Sequence, residues 1–302
     1  MKKLFILLAC AATVVACSKD ETIASFQGDA IKFGNPFVGK VTRGETADTQ
    51  TYGGDVADKS LTSFKVWGTV NGEPIYAETN VTGTVGGEWT AAADPQYWAE
   101  GANYKFAAIV DGTAATLEAG LPATISYTQA SQLDLLYDDA VVNNAASNQG
   151  AVEFQFSHLL SKVKFTVSTN IAADGYSHVV KNIKVDNYTT GTYTVDGGTW
   201  AGATPVEIAF KDITVNESTN EASNFTNLLI PNAATFNVSF TVDFKKGDTV
   251  IWSQDYDKEI TDDLLKGYSY NFKIDLSAGN EIKFKVDSNP TWTEDDPTIA
   301  LQ

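Results

Sequence analysis

The residue with the clearest covalent chemistry is Cys17. It follows the apolar run from Leu4 to Val15 and Ala16, and it precedes the polar, acidic stretch from Ser18 to Glu21. A positively charged start, an apolar run of this length and small residues before a cysteine form the bacterial lipobox pattern. In that pattern the thiol takes a diacylglyceryl group, and cleavage before the cysteine frees an amine for further acylation. We therefore expect residues 1–16 to be a signal peptide and Cys17 to carry the lipid that anchors the chain in a membrane. The alternative is an ordinary signal peptide with a coincidental cysteine.

The second distinctive residue is Arg43, because it is the only arginine among the 21 lysine and arginine residues of the chain. An arginine-directed protease would therefore have a single target, the bond between Arg43 and Gly44. The residues that follow, Glu45 to Ser60, are mostly polar and include two adjacent glycines, which predicts an accessible bond. Cleavage there would leave 302 − 43 = 259 residues. The alternative interpretation is that a lone arginine is an accident of composition.

A short segment before Arg43 has the pattern of a strand that fills a groove. Ile31 and Phe33 flank Lys32, so in an extended chain the two apolar side chains point to one face and the lysine to the other. A sheet that lacks one strand exposes unpaired N–H and C=O groups beside an apolar groove, and such a groove binds an added strand. We therefore predict that Ile31 and Phe33 belong to a removable first strand within a propeptide of residues 17–43.

The same alternation occurs near the C-terminus, where Ile282, Phe284 and Val286 alternate with lysines. Burial of side chains of this size contributes roughly 1.5–3 kcal/mol each before entropy costs, and a ladder of backbone hydrogen bonds adds about 1 kcal/mol per bond. A strand near residues 281–287 could therefore hold two molecules together as a donor strand. The alternative is that this segment is simply the last strand of its own domain.

Composition excludes several classes of function. The formal net charge is −17, and a surface this acidic repels phosphate backbones, so no nucleic-acid partner is expected. Cys10 and Cys17 are the only cysteines and His158 and His178 the only histidines, which leaves little material for a metal centre or a nucleophilic enzyme. His158 lies among Phe and Leu residues, which favours a hydrogen-bonded structural role over that of a base. Asp138-Asp139 lacks the ligand spacing of a calcium loop and is predicted to be a solvated turn. We expect no enzyme, no cofactor and no metal.

The body of the chain has the pattern of β-strands, because apolar and aromatic residues alternate with polar ones at a period of two. The alternating groups are Phe64, Val66 and Gly68; Tyr104, Phe106, Ala108 and Val110; Val152, Phe154 and Phe156; Val163, Phe165 and Val167; Phe236 to Phe244; and Tyr268 to Leu276. Turn signals such as Asn71-Gly72 separate them, and no long stretch has the 3.6-residue period of a helix. The polar segment from Asn143 to Gly150 is the best linker candidate. The sequence thus predicts an all-β fold of two β-sandwich domains, at about residues 44–148 and 151–302.

Several landmarks, taken in their order, resemble the Mfa-like fimbrillin family, the subunits of type V pili. The landmarks are Cys17-Ser18-Lys19-Asp20-Glu21, Ile31-Lys32-Phe33, Thr42-Arg43, Asp134-Leu135-Leu136-Tyr137, the segment from Phe154 to Val163, Leu228-Leu229-Ile230-Pro231 and the segment from Gly267 to Phe272. The resemblance covers nearly the whole chain. It implies two transthyretin-like β-sandwich domains after a lipoprotein signal peptide, in agreement with the strand pattern.

The resemblance also implies a mechanism of assembly. It implies a surface lipoprotein precursor, held in the cell outer membrane through the lipid on Cys17, with an extra N-terminal strand in its own sheet. An arginine-specific protease acting after Arg43 removes that strand, and the vacated groove accepts a strand from another fimbrial subunit. The expected function is that of a fimbrial subunit precursor that supports surface adhesion, with a host or bacterial surface ligand as a further partner. The competing hypothesis is a membrane-anchored, glycan-binding surface lipoprotein that does not polymerise. Tryptophans such as Trp89, Trp98 and Trp200 could stack on sugars in an adhesin tip, but core packing is the commoner use of a tryptophan in a β-sandwich.

Overall fold

The computed structural model describes residues 28–38, 51–52, 59–84, 86–224, 227–232, 235–277 and 283–289. Cys17, Arg43, Gly44 and Ile282 therefore lie outside the described residues. The described elements are strands, apart from one 3-10 helix (Gln129–Ser131). In chain order the strands are β1 (Phe37–Val38), β2 (Thr51–Tyr52), β3 (Lys59–Ser60), β4 (Ser63–Val70), β5 (Glu73–Thr82), β6 (Thr90–Ala91), β7 (Tyr104–Val110), β8 (Thr113–Glu118), β9 (Leu121–Thr128), β10 (Leu136–Val142), β11 (Gln155–His158), β12 (Ser161–Ser168), β13 (Tyr176–Tyr188), β14 (Thr190–Thr194), β15 (Thr199–Gly202), β16 (Pro205–Ala209), β17 (Ile213–Asn216), β18 (Glu221–Ser223), β19 (Asn227–Leu229), β20 (Phe236–Lys246), β21 (Thr249–Ile260), β22 (Ser269–Asp275) and β23 (Lys283–Asn289).

These elements confirm the prediction of an all-β fold for the described part of the chain. Strand β20 shows the reason, since Phe236, Val238 and Phe240 are buried while the residues between them are at least partly exposed. Aromatic and β-branched residues at a period of two fit a pleated strand that has one face in a core. Within the same described residues, no helix is long and apolar enough to cross a membrane.

The strands form four larger sheets and one two-stranded ribbon. Sheet A has the order β1-β11-β10-β7-β4-β5-β6. Sheet B has the order β18-β12-β22-β23, and β19 also pairs with β12. Sheet C has the order β16-β13-β20-β21, and β17 also pairs with β13. Sheet D has the order β15-β14-β9-β8, and the ribbon joins β2 to β3.

Sheets B and C face each other across one hydrophobic core. Phe165 of β12 stacks on Phe272 of β22 with ring centroids 5.0 Å apart, and both rings are fully buried. Sheet C supplies the opposite wall of this core, with Val180 of β13 and Val238 of β20 among its members. The two sheets therefore form a β-sandwich, as the alternation predicted.

Sheet A is covered on both of its faces. On β4, Phe64 and Val66 point into one core whereas Trp67 points into another, which lies between sheets A and D. The first of these, called the aromatic core below, is closed partly by residues outside regular strands. Its aromatic members are Phe33, Phe64, Tyr76, Trp89, Trp98, Tyr104, Phe106, Phe154 and Phe156.

The predicted boundary between residues 148 and 151 does not coincide with a boundary between sheets. Strand β11, which follows it, pairs with β10 in sheet A, and Phe154 and Phe156 pack in the aromatic core. Sheet D joins β8 and β9, from before the boundary, to β14 and β15, from after it. The physical reason is that alternation shows which face of a strand is buried but carries no information about which core it enters.

Asp138 and Asp139 require a correction. The sequence predicted a solvated turn, but both residues lie within strand β10. The Asp138 carboxylate accepts a hydrogen bond from the backbone N–H of Gln155 at 2.6 Å, and burial raises the pKa of this carboxyl above its ordinary value. Asp138 therefore aligns the start of β11 with β10.

A buried carboxylate ties three neighbouring strands of sheet C together. Asp243 of β20 accepts hydrogen bonds from the ammonium group of Lys181 on β13 and from the hydroxyl of Ser253 on β21, the latter at 2.6 Å. The bond from Lys181, followed by the bond from Ser253, lowers the pKa of the Asp243 carboxyl from its ordinary value of 3.8. Folding therefore stabilises the ionised carboxylate of Asp243 relative to its protonated form.

We expect Asp243→Asn to lower the free energy of unfolding at neutral pH, with a loss that shrinks as the pH falls below about 4. A carboxyl whose pKa is depressed by folding contributes its stability above the unfolded pKa and loses it as the pH falls through the folded pKa. Urea denaturation at neutral and acidic pH measures the difference. Asp257→Asn, at an exposed position of β21, is the control. A loss of stability for Asp243→Asn that is the same at both pH values would contradict the assignment.

Candidate functional site

Residues 28–38, called the leader segment below, lie between two stretches of chain. The first wall is residues 89–98, which runs antiparallel to the leader segment. The N–H of Gly28 donates to the carbonyl of Trp98 at 3.1 Å, and the N–H of Trp98 donates to the carbonyl of Asp29 at 3.0 Å. Further along, the N–H of Ile31 donates to the carbonyl of Gln96 at 2.7 Å.

The second wall is residues 145–156, which pairs with the leader segment on its other side. The N–H of Asp29 donates to the carbonyl of Ser147 at 2.6 Å. Val152 makes two bonds, because its N–H donates to the carbonyl of Lys32 and its carbonyl accepts from the N–H of Gly34, both at 2.8 Å. Strand β1 then continues as a parallel partner of β11. The leader segment is therefore bonded like an interior strand although it lies close to the N-terminus.

The side chains of the leader segment fill the aromatic core. Ile31 is 8% exposed and Phe33 is 5% exposed, whereas Lys32 between them is exposed. The ring of Phe33 has four aromatic neighbours within van der Waals reach. Its centroid lies 5.7 Å from Tyr76, 6.1 Å from Phe64, 6.2 Å from Phe154 and 6.4 Å from Phe106. Phe33 therefore occupies the centre of the core rather than its rim.

The two walls approach each other closely at Gly28. A Cβ atom at this position would lie 2.2 Å from the carbonyl oxygen of Ser147 and 2.5 Å from that of Trp98. Both are backbone atoms, so neither can rotate away as a side chain could. Only glycine fits between the walls at this point.

Asn35 links the leader segment to the first wall through its side chain. Its Oδ1 accepts a hydrogen bond from the indole N–H of Trp89 at 3.0 Å and another from the backbone N–H of Gly86 at 3.3 Å. Trp89 is 4% exposed and packs against Phe64 with ring centroids 5.5 Å apart. The amide of Asn35 thus satisfies a polar group at the margin of the aromatic core.

The C-terminal candidates lie on β23, which forms the edge of sheet B next to β22. Val286 is 8% exposed, and the half-buried Phe284 stacks on Phe240 and Phe272 at 6.2 Å and 5.9 Å. Ile282 lies outside the described residues. Among the described residues β23 is thus the last strand of its own sheet, in agreement with one of the two alternatives, and its role as a donor strand stays a prediction.

The residues considered for other chemistry have structural contacts. His158 Nδ1 lies 2.8 Å from Asp134 Oδ2 at the end of β11. Trp89 and Trp98 are buried, and the indole N–H of Trp200 donates to the carbonyl of Leu159 at 2.8 Å. In the part of the chain that the structure describes, no group of three or more His, Cys, Asp or Glu side chains could hold a metal ion.

The comparisons with known proteins agree with this architecture. A family model described as fimbrillin-like matches residues 49–290. The chain belongs to the fimbrillin-like family. This membership makes it a fimbrial or adhesin-like subunit, a protein that associates with other fimbrial subunits at the cell surface. No curated protein matches the chain.

Solved structures share the fold of this fimbrillin-like chain. A fimbrial protein from Bacteroides vulgatus superposes with a TM-score of 0.57 at 14% identity, covering 87% of this chain and 99% of that one. A candidate cell adhesion protein from Bacteroides ovatus gives a TM-score of 0.53 at 16% identity, covering 90% and 100%. Another from Bacteroides uniformis gives 0.50 at 18% identity, covering 80% and 95%. At these identities the likeness concerns the fold alone.

Sequence reasoning missed the first wall and the beginning of the second, although it identified the alternation of Val152, Phe154 and Phe156 within the second wall. Residues 89–98 do not alternate, and the second wall includes Ser147, which falls inside the segment predicted to be a linker. The signal available was the pair Trp89 and Trp98 in an otherwise polar stretch, because two large apolar side chains there require a core to cover them. The expected orientation of Ile31, Lys32 and Phe33 agrees with the structure, but their partners were not predictable from a local pattern.

We expect Phe33→Ala to lower the free energy of unfolding of the precursor by about 3–5 kcal/mol, the usual loss when a large aromatic side chain is removed from a core. Urea denaturation measures the change, with Lys32→Ala as the control because Lys32 is exposed on the same segment. Equal unfolding midpoints for the two variants would show that Phe33 does not support the aromatic core.

Proposed function

We propose that the chain is a surface lipoprotein precursor of a fimbrial subunit that assembles by proteolysis-triggered strand exchange. Lipid on Cys17 holds the precursor in the outer membrane, and an arginine-specific protease cuts between Arg43 and Gly44. The observation that carries the proposal is the position of the leader segment, which is bonded on both sides and fills the aromatic core. It ends five residues before Arg43, so a single cut separates it from the rest of the chain.

Loss of the leader segment leaves a binding site for another strand. Both walls then have unpaired backbone N–H and C=O groups, and the place of Ile31 and Phe33 in the aromatic core is open. Each buried side chain of this size contributes roughly 1.5–3 kcal/mol, and each backbone bond about 1 kcal/mol. An extended peptide with two apolar side chains on one face would regain both the side-chain burial and the backbone hydrogen bonds, as in other cases where a strand adds to a sheet.

The chain itself contains a second segment that fits this site. Residues 28–33 read Gly-Asp-Ala-Ile-Lys-Phe, and residues 279–284 read Gly-Asn-Glu-Ile-Lys-Phe. In this register Ile282 and Phe284 take the places of Ile31 and Phe33. Gly279 takes the place of Gly28, where no Cβ fits between the walls. The match supports the C-terminal segment of a second copy as the donor strand.

The position of β23 in its own sheet also supports this role. Among the strands that the structure describes, β23 pairs on one side only, with β22, so its departure breaks one of the described ladders. Its departure does uncover part of the core around Phe240 and Phe272, against which Phe284 packs. The donor strand therefore moves from one apolar environment to another. In its own sheet it has backbone bonds to β22, whereas in the vacated groove it would form backbone bonds to both walls.

We expect Arg43→Ala to leave folding intact and to prevent filament formation, since the chain then has no arginine for the protease to recognise. Electron microscopy of the cell surface and N-terminal sequencing of sheared material measure the outcome. Lys40→Ala is the matched control, because it removes a nearby positive charge and keeps the arginine. In the parent and the control, the sheared subunit should begin at Gly44.

A blocked N-terminus at Cys17 in the sheared material would instead support the anchored lipoprotein that does not polymerise. Filaments of normal length and number from Arg43→Ala cells would overturn the proposed processing step.

We expect a cysteine pair at positions 151 and 285 to link adjacent subunits in a filament. In the proposed register Lys285 takes the place of Gly34, and a Cβ at Gly34 would lie 3.7 Å from the Cβ of Ala151, within the range for a disulfide. The chain of residues 44–302 has no cysteine of its own. The Ala151→Cys, Lys285→Cys variant should therefore form a ladder of disulfide-linked multimers on non-reducing gels.

The single variants are controls for random oxidation, and a pair of Ala151→Cys with Lys258→Cys, on β21, is the control for proximity. Multimers from the second pair, or monomers from the first pair within intact filaments, would refute the register.

A further inference from the structure

The contact between Asn35 and Trp89 differs in kind from the others that hold the leader segment. Ile31 and Phe33 are held by packing, which any strand with the same apolar pattern reproduces. Asn35 instead supplies an amide oxygen to two N–H groups, the indole of Trp89 at 3.0 Å and the backbone of Gly86 at 3.3 Å. These bonds require an acceptor at one position and are therefore specific to the residue there.

The surroundings of Trp89 keep its N–H group in place. Its ring lies directly on Gly83, where a Cβ atom would come within 2.5 Å of the indole, and its side chain is almost fully buried. A ring packed this tightly cannot turn its N–H towards water without moving the loop beneath it. Loss of the Asn35 oxygen thus leaves a buried donor without its acceptor, which is more costly than loss of an exposed hydrogen bond.

The position of Asn35 along the chain decides when these bonds break. It lies between Phe33, which fills the core, and Arg43, where the proposed cut creates a free end. A strand that peels from that free end must first lose the short pairing of β1 with β11 and then the Asn35 contacts, before Phe33 and Ile31 can leave the core. The Asn35 bonds are thus the first specific barrier on this route.

We propose that Asn35 is the latch that retains the leader segment after cleavage and so sets the rate of strand exchange. The residue is a positioning residue, since it acts through Trp89 and Gly86. This inference rests on the proposed function, because it concerns the departure of the segment that the cut releases. According to this proposal, the side chain of Asn35 prolongs the time between cleavage and strand exchange.

The test measures release of the leader segment from the purified precursor. An arginine-specific protease cuts the chain once, and size-exclusion chromatography with mass spectrometry then follows the fraction of leader peptide that stays bound over time. Asn35→Ala should release the peptide about tenfold faster or more, as expected for the loss of two hydrogen bonds. Asn35→Asp keeps an acceptor oxygen and should release it at close to the parent rate. Lys32→Ala, an exposed residue of the same segment, should have no effect.

A second measurement tests the latch without any cleavage. In the intact precursor labelled with nitrogen-15 at tryptophan, the indole N–H of Trp89 should exchange slowly with solvent, and Asn35→Ala should speed this exchange selectively. The other buried indoles, such as that of Trp98, serve as internal controls. A variant that merely weakens the fold would speed exchange at all of these sites.

Equal release rates for the parent, Asn35→Ala and Asn35→Asp would overturn the latch, as would an unchanged exchange rate of the Trp89 indole. Failure of the proposed function has a different signature. In that case the leader peptide leaves at rates that depend on Asn35, yet the emptied chains do not join into filaments.

Discussion

The fold depends on one requirement, that the space between the two walls be occupied by an extended strand. Gly28, Ile31 and Phe33 meet it in this chain, with backbone bonds to Trp98 and Ser147 on opposite sides and a phenyl ring at the centre of the aromatic core. Without such a strand the core loses its central side chain and two rows of backbone groups lose their partners. Together these losses amount to a substantial fraction of the net stability of a domain. If the proposed cleavage occurs, the same requirement would make a chain without its leader segment bind another extended strand.

The two halves of the chain contain the same local arrangement of hydrogen bonds around a tyrosine, but different segments pair with the backbone beside it. Tyr104 accepts a hydrogen bond from the N–H five residues earlier and donates to the carbonyl seven residues earlier, and Tyr270 does the same with the same spacing. The residue six positions before each tyrosine is buried and pairs with another stretch of backbone. For Trp98 that stretch is the leader segment, whereas for Leu264 it is Asn232. The C-terminal sandwich is thus closed at this corner by an internal segment, whereas the aromatic core is closed by the leader segment, which the proposed cut after Arg43 would separate from the rest of the chain.

Local pattern predicted the strands well and their partners poorly. The alternation in β12, β20 and β22 was sufficient because each has one face in a core and the side-chain period of a strand is fixed by geometry. The same reasoning gave the correct orientation of Ile31 and Phe33. It could not locate the first wall, because Trp89 and Trp98 reach the core from an irregular stretch that pairs with the leader segment through isolated bridges. Local pattern also did not identify Asn35, because its hydrogen bond to Trp89 joins side chains 54 residues apart and the sequence around either residue does not indicate such a contact.

In the proposed assembly, the donor strand would replace the leader segment with nearly equivalent contacts, so the driving force for strand exchange would have to come from another source. The leader segment and residues 279–284 would place an isoleucine and a phenylalanine at the same points of the aromatic core, so the packing energy of the donor strand nearly equals that of the leader segment it replaces.

The proposed cleavage would remove the covalent link between the leader segment and the rest of the chain. A covalently linked leader is present at the effective concentration of a short linker, which is of the order of millimolar or higher, and no free strand competes well with it. A cleaved leader is a dilute peptide that does not return once it diffuses away. In the proposed assembly, this loss of effective concentration would set the direction. The rate would depend on the interactions that delay the departure of the leader segment, among which the polar contacts of Asn35 are the ones that packing cannot replace.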